Sequence, residues 1–323
     1  MLLVLHQGAI GDFLLTMSVI EPAAKMWKAE RVVAVASASS ARLAAGRSVI
    51  DRCVHPDAVG LHSLFASRGP LDATLQSLLD QARWVLSFLG GSETPVHRRL
   101  IACTGAQSIG IDPRPAPATL AGRTHITGQW AADLARAGGP VVEPQPATLR
   151  FDMPMTHPSG RTGHRETAVV VLHPGSGGRA KCWPTDRFVA LADSLVPLRT
   201  GWMLGPTELE SAGEPARSVR ARVRATGEPL IAEPDLEGAV RALLALRPAG
   251  YVGNDGGMTH VAAALGVPTV AIFGPTVSDT WRPLGAHVAV CAADRPASDI
   301  CEVRLEQVGR VVRRHCARER RVV

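Results

Sequence analysis

The sequence predicts an α/β protein made of two successive halves, each a parallel sheet covered by helices. Short apolar runs alternate with stretches of helical periodicity, and such alternation indicates parallel strands joined by crossover helices. The alternation stops over residues 139–165, where five prolines accumulate, and then resumes. With 323 residues the chain is long enough for about two domains.

In the first half, short apolar runs predict strands at Leu2–Leu5, Arg31–Ala36, Val49–Val54 and Trp84–Leu89. Apolar residues at helical spacing predict helices over Asp12–Lys28, Leu71–Arg83 and His125–Ala137. The last of these helices ends at a pair of glycines, Gly138 and Gly139.

In the second half, strands are predicted at Thr167–His173, Thr200–Leu204 and Thr269–Phe273, and a further strand ends at Tyr251–Gly253. Helices are predicted over Thr185–Leu195, Glu208–Ala225 (despite Pro215), Leu236–Ala245 and Cys301–Arg318, with one more containing Ala262–Leu265. We therefore expect two Rossmann-like domains facing each other across a cleft, at 1–150 and 167–323, joined by a linker at 151–166.

The net charge is +6 and the pI about 9.4, which suits nucleic acid, an anionic membrane surface or a phosphorylated substrate. Aromatic residues make up only 4%, and no basic stretch is interleaved with them, so nucleic acid is not an expected partner. The arginines near the end of the chain indicate a solvated helix face, or else a surface for anionic lipid: Arg310, Arg313, Arg314, Arg318, Arg320 and Arg321.

The six cysteines are scattered, with no C-x-x-C pair and no histidine at metal-ligand spacing. They are typical of reduced structural cysteines in a cytoplasmic protein, and we expect neither a metal site nor a cofactor. No basic leader precedes Leu2, and no apolar run is long enough to span a bilayer. The expected location is the cytoplasm, with peripheral contact to the inner face of the membrane as an alternative.

The most informative segment runs from Gly250 to Thr276 and contains N-D-G-G-M-T-H between two strands. The turn places Asp255, Gly256 and Gly257 at the start of a helix, with His260 in its first turn. Unpaired N–H groups and the positive end of the helix dipole make such a turn a site for phosphate or diphosphate. The alternative is an ordinary strand–turn–helix connection with glycines for geometry.

A second loop, H-P-G-S-G-G-R-A-K-C-W-P, follows the strand that ends at His173. Ser176, Gly177, the loop N–H groups and Lys181 form a plausible phosphate cradle, although the spacing is not that of a P-loop. The alternative is a flexible surface loop. Glu208 follows the next strand, where a carboxylate can bind ribose hydroxyls or simply favour a helix N-terminus.

At the N-terminus, His6-Gln-Gly-Ala-Ile-Gly-Asp12 joins the first strand to the first helix. Its glycine spacing is not the full dinucleotide fingerprint, so NAD binding is not indicated. Asp12 is either the N-cap of this helix or a general base at the carboxyl edge of the sheet. Judged on the residue alone, the cap is the favoured interpretation.

Together these motifs resemble glycosyltransferase family 9, the lipopolysaccharide heptosyltransferases. The resemblance rests on G-x-I-G-D-x-L-L-T, on H-P-G-S followed by K-x-W-P, on G-P-x-E, and on G-N-D-G-G-M-T-H through F-G-P-T. It covers the start of the chain and most of its second half. It implies a GT-B fold, with the nucleotide-sugar donor in the second domain and the acceptor in the first.

The implied reaction is metal-independent, inverting transfer of a heptose from an ADP-activated donor to a sugar of the lipopolysaccharide core or a related surface glycan. By position, Asp12 is the implied general base, while Lys181 and the Ser176–Gly178 loop hold the diphosphate. Glu208 is implied to bind the ribose. The remaining donor-site residues, for sugar and phosphates, are Asp255, Gly256, Gly257 and His260.

The sequence departs from the family at three places. Gly256 replaces a usual hydroxyl residue, and the expected consequence is either the loss of one phosphate hydrogen bond or a closer approach of the backbone. Ser18 replaces a frequent proline, and Phe88–Gly91 replaces a D-L-x-G-type segment. On basic chemistry alone, Arg98, Arg99, Arg123 and His125 are candidates for contacts to a phosphorylated acceptor. Two other functions stay open: a nucleotide-sugar epimerase or hydrolase of GT-B type, and a non-catalytic nucleotide-sugar-binding protein.

Overall fold

The computed structural model describes residues 1–152, 169–211, 213–295 and 298–316. The chain divides into two compact units. Unit 1 comprises Met1–Arg150 and Asp279–Leu284, and unit 2 comprises Phe151–Ser278 and Gly285–Val323. Most of the expected linker, and the arginines beyond Cys316, lie outside the described residues.

Among the described residues, unit 1 contains a five-stranded parallel sheet in the order β3-β2-β1-β4-β5. Its strands are β1 (Leu2–Leu5), β2 (Val32–Val35), β3 (Arg52–Val54), β4 (Trp84–Ser87) and β5 (Gln107–Gly110). β1 and β2 are buried along their whole length, which explains why they read as continuous apolar runs.

The helices of unit 1 are α1 (Ile10–Met26), α2 (Ala38–Ala44), α3 (Ala73–Gln81), α4 (Pro95–Ala102), α5 (Pro117–Ala121) and α6 (Ile126–Arg136). Several begin at a side-chain cap: the Asp72 carboxylate accepts the Thr74 N–H, and the Thr94 hydroxyl accepts the His97 N–H. Leu75 and Leu79 of α3 pack on the face of the sheet that carries Leu3 and its neighbours.

The described part of unit 2 contains a six-stranded parallel sheet in the order β11-β10-β9-β6-β7-β8. Its strands are β6 (Val169–His173), β7 (Arg199–Met203), β8 (Leu230–Ile231), β9 (Gly250–Asn254), β10 (Thr269–Phe273) and β11 (Val288–Ala292). The predicted α/β class with two parallel sheets is confirmed.

The helices of unit 2 cover both faces of this sheet. They are α7 (Thr185–Ser194), α8 (Pro206–Ser211), α9 (Glu214–Thr226), α10 (Leu236–Ala245), α11 (Gly257–Ala264), α12 (Ser278–Trp281), whose last three residues group with unit 1, and α13 (Leu305–Cys316). One face packs against Phe188 of α7 and Val312 of α13, and the other against Leu243 of α10 and Ala262 of α11.

One expectation about the elements needs correction, and some strands were not predicted. The helix predicted over Glu208–Ala225 is two helices, α8 and α9. Proline has no N–H to continue a helix, so Pro215 lies in the first turn of a new one, α9, where the missing N–H costs nothing. No prediction was made for β5, β8 and β11, which are only partly buried at the edges of their sheets. Weak apolar periodicity leaves such edge strands without a clear signal.

A partly buried carboxylate ties β7 to α9. Glu228 accepts hydrogen bonds from Thr200 Oγ1 at 2.6 Å, Trp202 Nε1 at 2.8 Å and Arg222 Nε at 3.0 Å. Burial by itself raises the pKa of Glu228, but these bonds outweigh it and lower the pKa from the usual 4.5 to about 2. Arg222 also contacts Asp193, so the cluster holds helices α7 and α9 to the sheet.

Candidate functional site

The candidate donor site lies where the strand order of unit 2 reverses. From β6 the chain runs outward through β7 to β8, then returns to pair β9 on the other side of β6. Ligands of open α/β sheets bind at such a switch point, outside the carboxyl ends of the strands. The loops after β6, β9 and β10 are therefore neighbours, and they carry the P-G-S, N-D-G-G and G-P-T segments.

Asn254, the last residue of β9, fixes the loop that follows β6. Its side-chain amide donates to the carbonyl oxygens of Pro174 at 2.8 Å and Gly175 at 3.3 Å. Its Oδ1 accepts the Trp183 N–H at 3.0 Å. Since Asn254 is 1% exposed, both ends of this loop are anchored to the core rather than free in solvent.

Next to it, Asp255 joins three loops. One oxygen, Oδ2, accepts Lys181 Nζ at 2.7 Å from the loop after β6 and Thr276 Oγ1 at 2.5 Å from the loop after β10. The Asp255 backbone carbonyl accepts the Ser176 hydroxyl at 2.8 Å. We call Lys181, Asp255 and Thr276 the Asp255 cluster; it places a lysine with a 38% exposed side chain beside a nearly buried carboxylate.

Helix α11 begins immediately after this cluster, with Gly256 as its N-cap and Gly257 as its first residue. A side chain at Gly256 would meet the Ser176 hydroxyl, because an added Cβ would lie 3.2 Å from Ser176 Oγ. Gly177 is exposed, and a Cβ there would meet nothing within 4 Å. The first turn of α11 therefore lies close to Lys181, the partner of Asp255, and a helix N-terminus beside a lysine is the arrangement expected for an anion.

Glu208 lies at a second junction, between the loops after β6 and β7. Its Oε2 accepts the Gly205 N–H at 2.8 Å, and its carboxyl group packs directly on Gly175, leaving no room for a side chain there. His173 Nε2 is 3.7 Å from the same oxygen, and His173 Nδ1 is 2.6 Å from the Tyr251 hydroxyl. Burial raises the pKa of Glu208, but His173 and the Gly205 amide outweigh it, so the net shift is downward.

In unit 1 the strand order reverses between β1 and β4, and the loop after β1 carries the second candidate site. The interpretation of Asp12 as N-cap is wrong: Ala9 is the N-cap, without a side-chain hydrogen bond, and Asp12 lies in the first turn of α1. A Cβ at Gly8 would be 2.8 Å from the His6 ring and 3.2 Å from Asp12 Cβ. Gly8 thus lets the loop pass between the two side chains.

The acceptor candidates do not form one cluster. Arg98 is exposed on α4, whereas Arg123 pairs with Asp279 at 2.5 Å. His125 caps α6, and its Nε2 lies 2.8 Å from the carbonyl oxygen of Arg282. Arg123 and His125 therefore hold residues of the segment Asp279–Leu284 to unit 1, and contacts of either residue to an acceptor stay a prediction.

Sequence reasoning found Ser176, Lys181, Glu208 and Asp255 but assigned no role to Thr276, Asn254 or His173. The signal for Thr276 was its place directly after a buried strand, in the G-P-T segment. His260 lies in α11 and is 6% exposed, and its role in the donor site stays a prediction. Over the described residues no group of three or more His, Cys, Asp or Glu side chains has a metal-binding arrangement.

The two parallel sheets, each with its strand order reversing next to its first strand, define an α/β protein of the Rossmann-like type. The family model of glycosyltransferase family 9 (heptosyltransferase) matches residues 140–308, more than half of the chain, and the protein belongs to this family. Lipopolysaccharide heptosyltransferase 2 of Salmonella typhimurium is 32% identical over 130 residues, which is 39% of this chain and 36% of that protein. The Escherichia coli K12 protein of the same name is 32% identical over 128 residues, with the same coverage. The alignment thus spans about a third of each relative's length.

Solved structures show the same fold along the whole chain. The glycosyl transferase of family 9 from Veillonella parvula DSM 2008 has a TM-score of 0.72 at 17% identity, covering 98% of this chain and 97% of that one. The E. coli ADP-heptose lps heptosyltransferase II has a TM-score of 0.71 at 16% identity, covering 99% of both chains. The expected GT-B fold class is confirmed.

Proposed function

We propose that this protein is a glycosyltransferase that moves a heptose from an ADP-activated donor to a sugar of the lipopolysaccharide core or a related surface glycan. The observation that carries the proposal is the Asp255 cluster at the N-terminus of α11, in a chain of family 9. The names of the Salmonella and E. coli relatives support heptose and lipopolysaccharide as the substrates.

On the donor side, the site is suited to a leaving diphosphate. An ammonium group has three N–H donors, and Lys181 gives one of them to Asp255, which leaves two for phosphate oxygens. The N–H groups in the first turn of α11 lie at the positive end of a helix dipole. Fixed donors aimed at developing negative charge stabilise the transition state without reorganisation, and this supports a reaction that needs no divalent metal.

On the acceptor side, Asp12 is the proposed general base. The acceptor hydroxyl oxygen attacks the anomeric carbon, its proton passes to the Asp12 carboxylate, and the bond to the diphosphate oxygen breaks with its electron pair going to ADP. A single displacement of this kind inverts the configuration at the anomeric carbon. A positioned base typically contributes about 10²–10⁴-fold in rate.

We also propose that the protein acts in the cytoplasm and touches the inner membrane surface peripherally, where a lipid-linked acceptor lies. None of the described helices combines the length and the apolar character needed to cross a bilayer. Helix α13 buries Val308 and Val312, and it exposes three arginines on the other side. We call these three the basic face: Arg310, Arg313 and Arg314. Such a face attracts anionic lipid.

The test is release of ADP from ADP-heptose with and without heptose-deficient lipopolysaccharide, in the presence and absence of EDTA. We expect release that depends on the acceptor and ignores EDTA, and a product of inverted anomeric configuration by NMR. Release without acceptor would indicate an epimerase or hydrolase, and ADP binding without release would indicate a non-catalytic protein.

Matched variants test the two assigned residues. Asp12→Asn should lower transfer by roughly 10²–10⁴-fold while ADP binding is kept. Asp186→Asn, the same change in the first turn of α7, should have no effect. Lys181→Met should weaken ADP binding, whereas Lys25→Met, which removes an exposed ion-paired lysine on α1, should not. Unchanged turnover in Asp12→Asn would exclude Asp12 as the base.

A further inference from the structure

Thr276 contributes to the donor site through a side chain that it shares with Lys181. Both residues donate to the same oxygen, Asp255 Oδ2, from loops on opposite sides of β9. The threonine hydroxyl is 2.5 Å from this oxygen and the lysine Nζ is 2.7 Å from it. The half-buried threonine and the lysine therefore share one acceptor oxygen.

The negative charge of the Asp255 side chain determines its role in a site for a diphosphate. Its side chain is 8% exposed, and a buried carboxylate must be paired or hydrogen-bonded to stay charged. A diphosphate is itself an anion, so the carboxylate repels it and is not its ligand. Asp255 instead orients the groups that donate to the diphosphate, with Ser176 fixed on its backbone carbonyl.

The hydroxyl of Thr276 sets how tightly this carboxylate holds Lys181. With both donors present, the negative charge on Oδ2 is shared between a neutral hydroxyl and the ammonium group. Without the hydroxyl, Lys181 becomes the main described partner of this oxygen and is held more strongly. An ammonium held more strongly by Asp255 is less available to an incoming diphosphate.

We propose that Thr276 is a positioning residue of the diphosphate site: through Asp255, its hydroxyl controls how far Lys181 is available to the phosphates of the donor. The proposal rests on the proposed function, because it takes a nucleoside diphosphate to be the ligand. It adds a third loop, the one after β10, to the two whose sequence motifs already indicate phosphate binding.

The experiment measures binding of ADP, adenosine and inorganic pyrophosphate by calorimetry to the native protein and to four variants. Thr276→Val removes the hydroxyl and keeps the shape, and Thr276→Ser keeps the hydroxyl. Lys181→Met removes the group through which the effect is to pass, and Lys181→Met/Thr276→Val combines the two changes. Melting of each unliganded variant verifies folding.

We expect Thr276→Val to weaken ADP and pyrophosphate by about three- to tenfold, the scale of one hydrogen bond, and to leave adenosine unchanged. Thr276→Ser should bind like the native protein. In the Lys181→Met background, Thr276→Val should cause no further loss, because residues that act as a unit are not additive.

Three results would overturn the inference: unchanged ADP and pyrophosphate binding in Thr276→Val, an equal loss for adenosine, or the same loss in the Lys181→Met background. A native protein that binds pyrophosphate but not ADP would contradict the proposed donor and still permit the comparison of variants with pyrophosphate. A native protein that binds neither would overturn both proposals.

Discussion

Replacing His6 by leucine should make the free energy of unfolding fall less as the pH is lowered from neutral to about 4. His6 lies at the carboxyl end of β1, is 1% exposed, and contacts the rings of Phe13 and Phe88 edge-on. Both of its ring nitrogens are without a hydrogen-bond partner among the described residues. Burial lowers the pKa of the imidazole from the usual 6.5 to about 4, so the folded protein keeps it neutral.

The direction of the pH effect on stability depends on whether the folded or the unfolded chain binds the proton more tightly. Between pH 6.5 and 4 the unfolded chain carries a protonated His6 and the folded chain does not, so stability falls as the pH is lowered through this window. A pKa that falls from 6.5 to about 4 corresponds to about 3 kcal/mol once the pH is below both values. Above pH 6.5 the penalty is absent.

The assay is urea unfolding of the native protein and His6→Leu at intervals from pH 7.5 to 4. Leucine is apolar and of similar volume, so its own effect on packing is independent of pH, and the difference between the two curves isolates the imidazole. We expect this difference to change by about 3 kcal/mol in favour of the variant. Parallel curves for His6→Leu and the native protein would refute the reasoning.

Three further outcomes follow from the structure. Glu228→Gln should cost about 3 kcal/mol in urea unfolding at neutral pH. Because the pKa of Glu228 falls from 4.5 to about 2 on folding, this stability is present above pH 4.5, and the difference from the native protein should close as the pH falls towards 2. Gly256→Ala should weaken ADP binding, because its Cβ would lie 3.2 Å from Ser176 Oγ and it brings no hydroxyl of its own; calorimetry that finds this variant unimpaired would contradict this. Reversing the charge of the three arginines of the basic face should lower binding to phosphatidylglycerol vesicles by roughly 100-fold, and equal co-sedimentation would remove the membrane proposal.

Much of the fold could be predicted because the relevant signals are local. The strands Leu2–Leu5 and Thr269–Phe273 and the helix Leu236–Ala245 have the bounds that their apolar patterns predict. Fully buried parallel strands are continuous apolar runs, and an amphipathic helix carries its own period. Where the pattern is weak, as in the half-exposed strand Gln107–Gly110, the element exists because a neighbouring strand offers its edge.

The candidate site, like the fold, could be predicted from the sequence only in part. The sequence by itself determined which loops carry residues typical of phosphate sites, since glycines, a lysine and a carboxylate directly after strands are visible in order along the chain. Only the tertiary structure decided that Lys181 reaches Asp255, 74 residues away, and that Thr276 shares the same oxygen. The reason is the order of the strands: β9 lies between β10 and β6, although two strands separate β6 from β9 along the chain. The partner of a charged side chain depends on that order rather than on its local sequence.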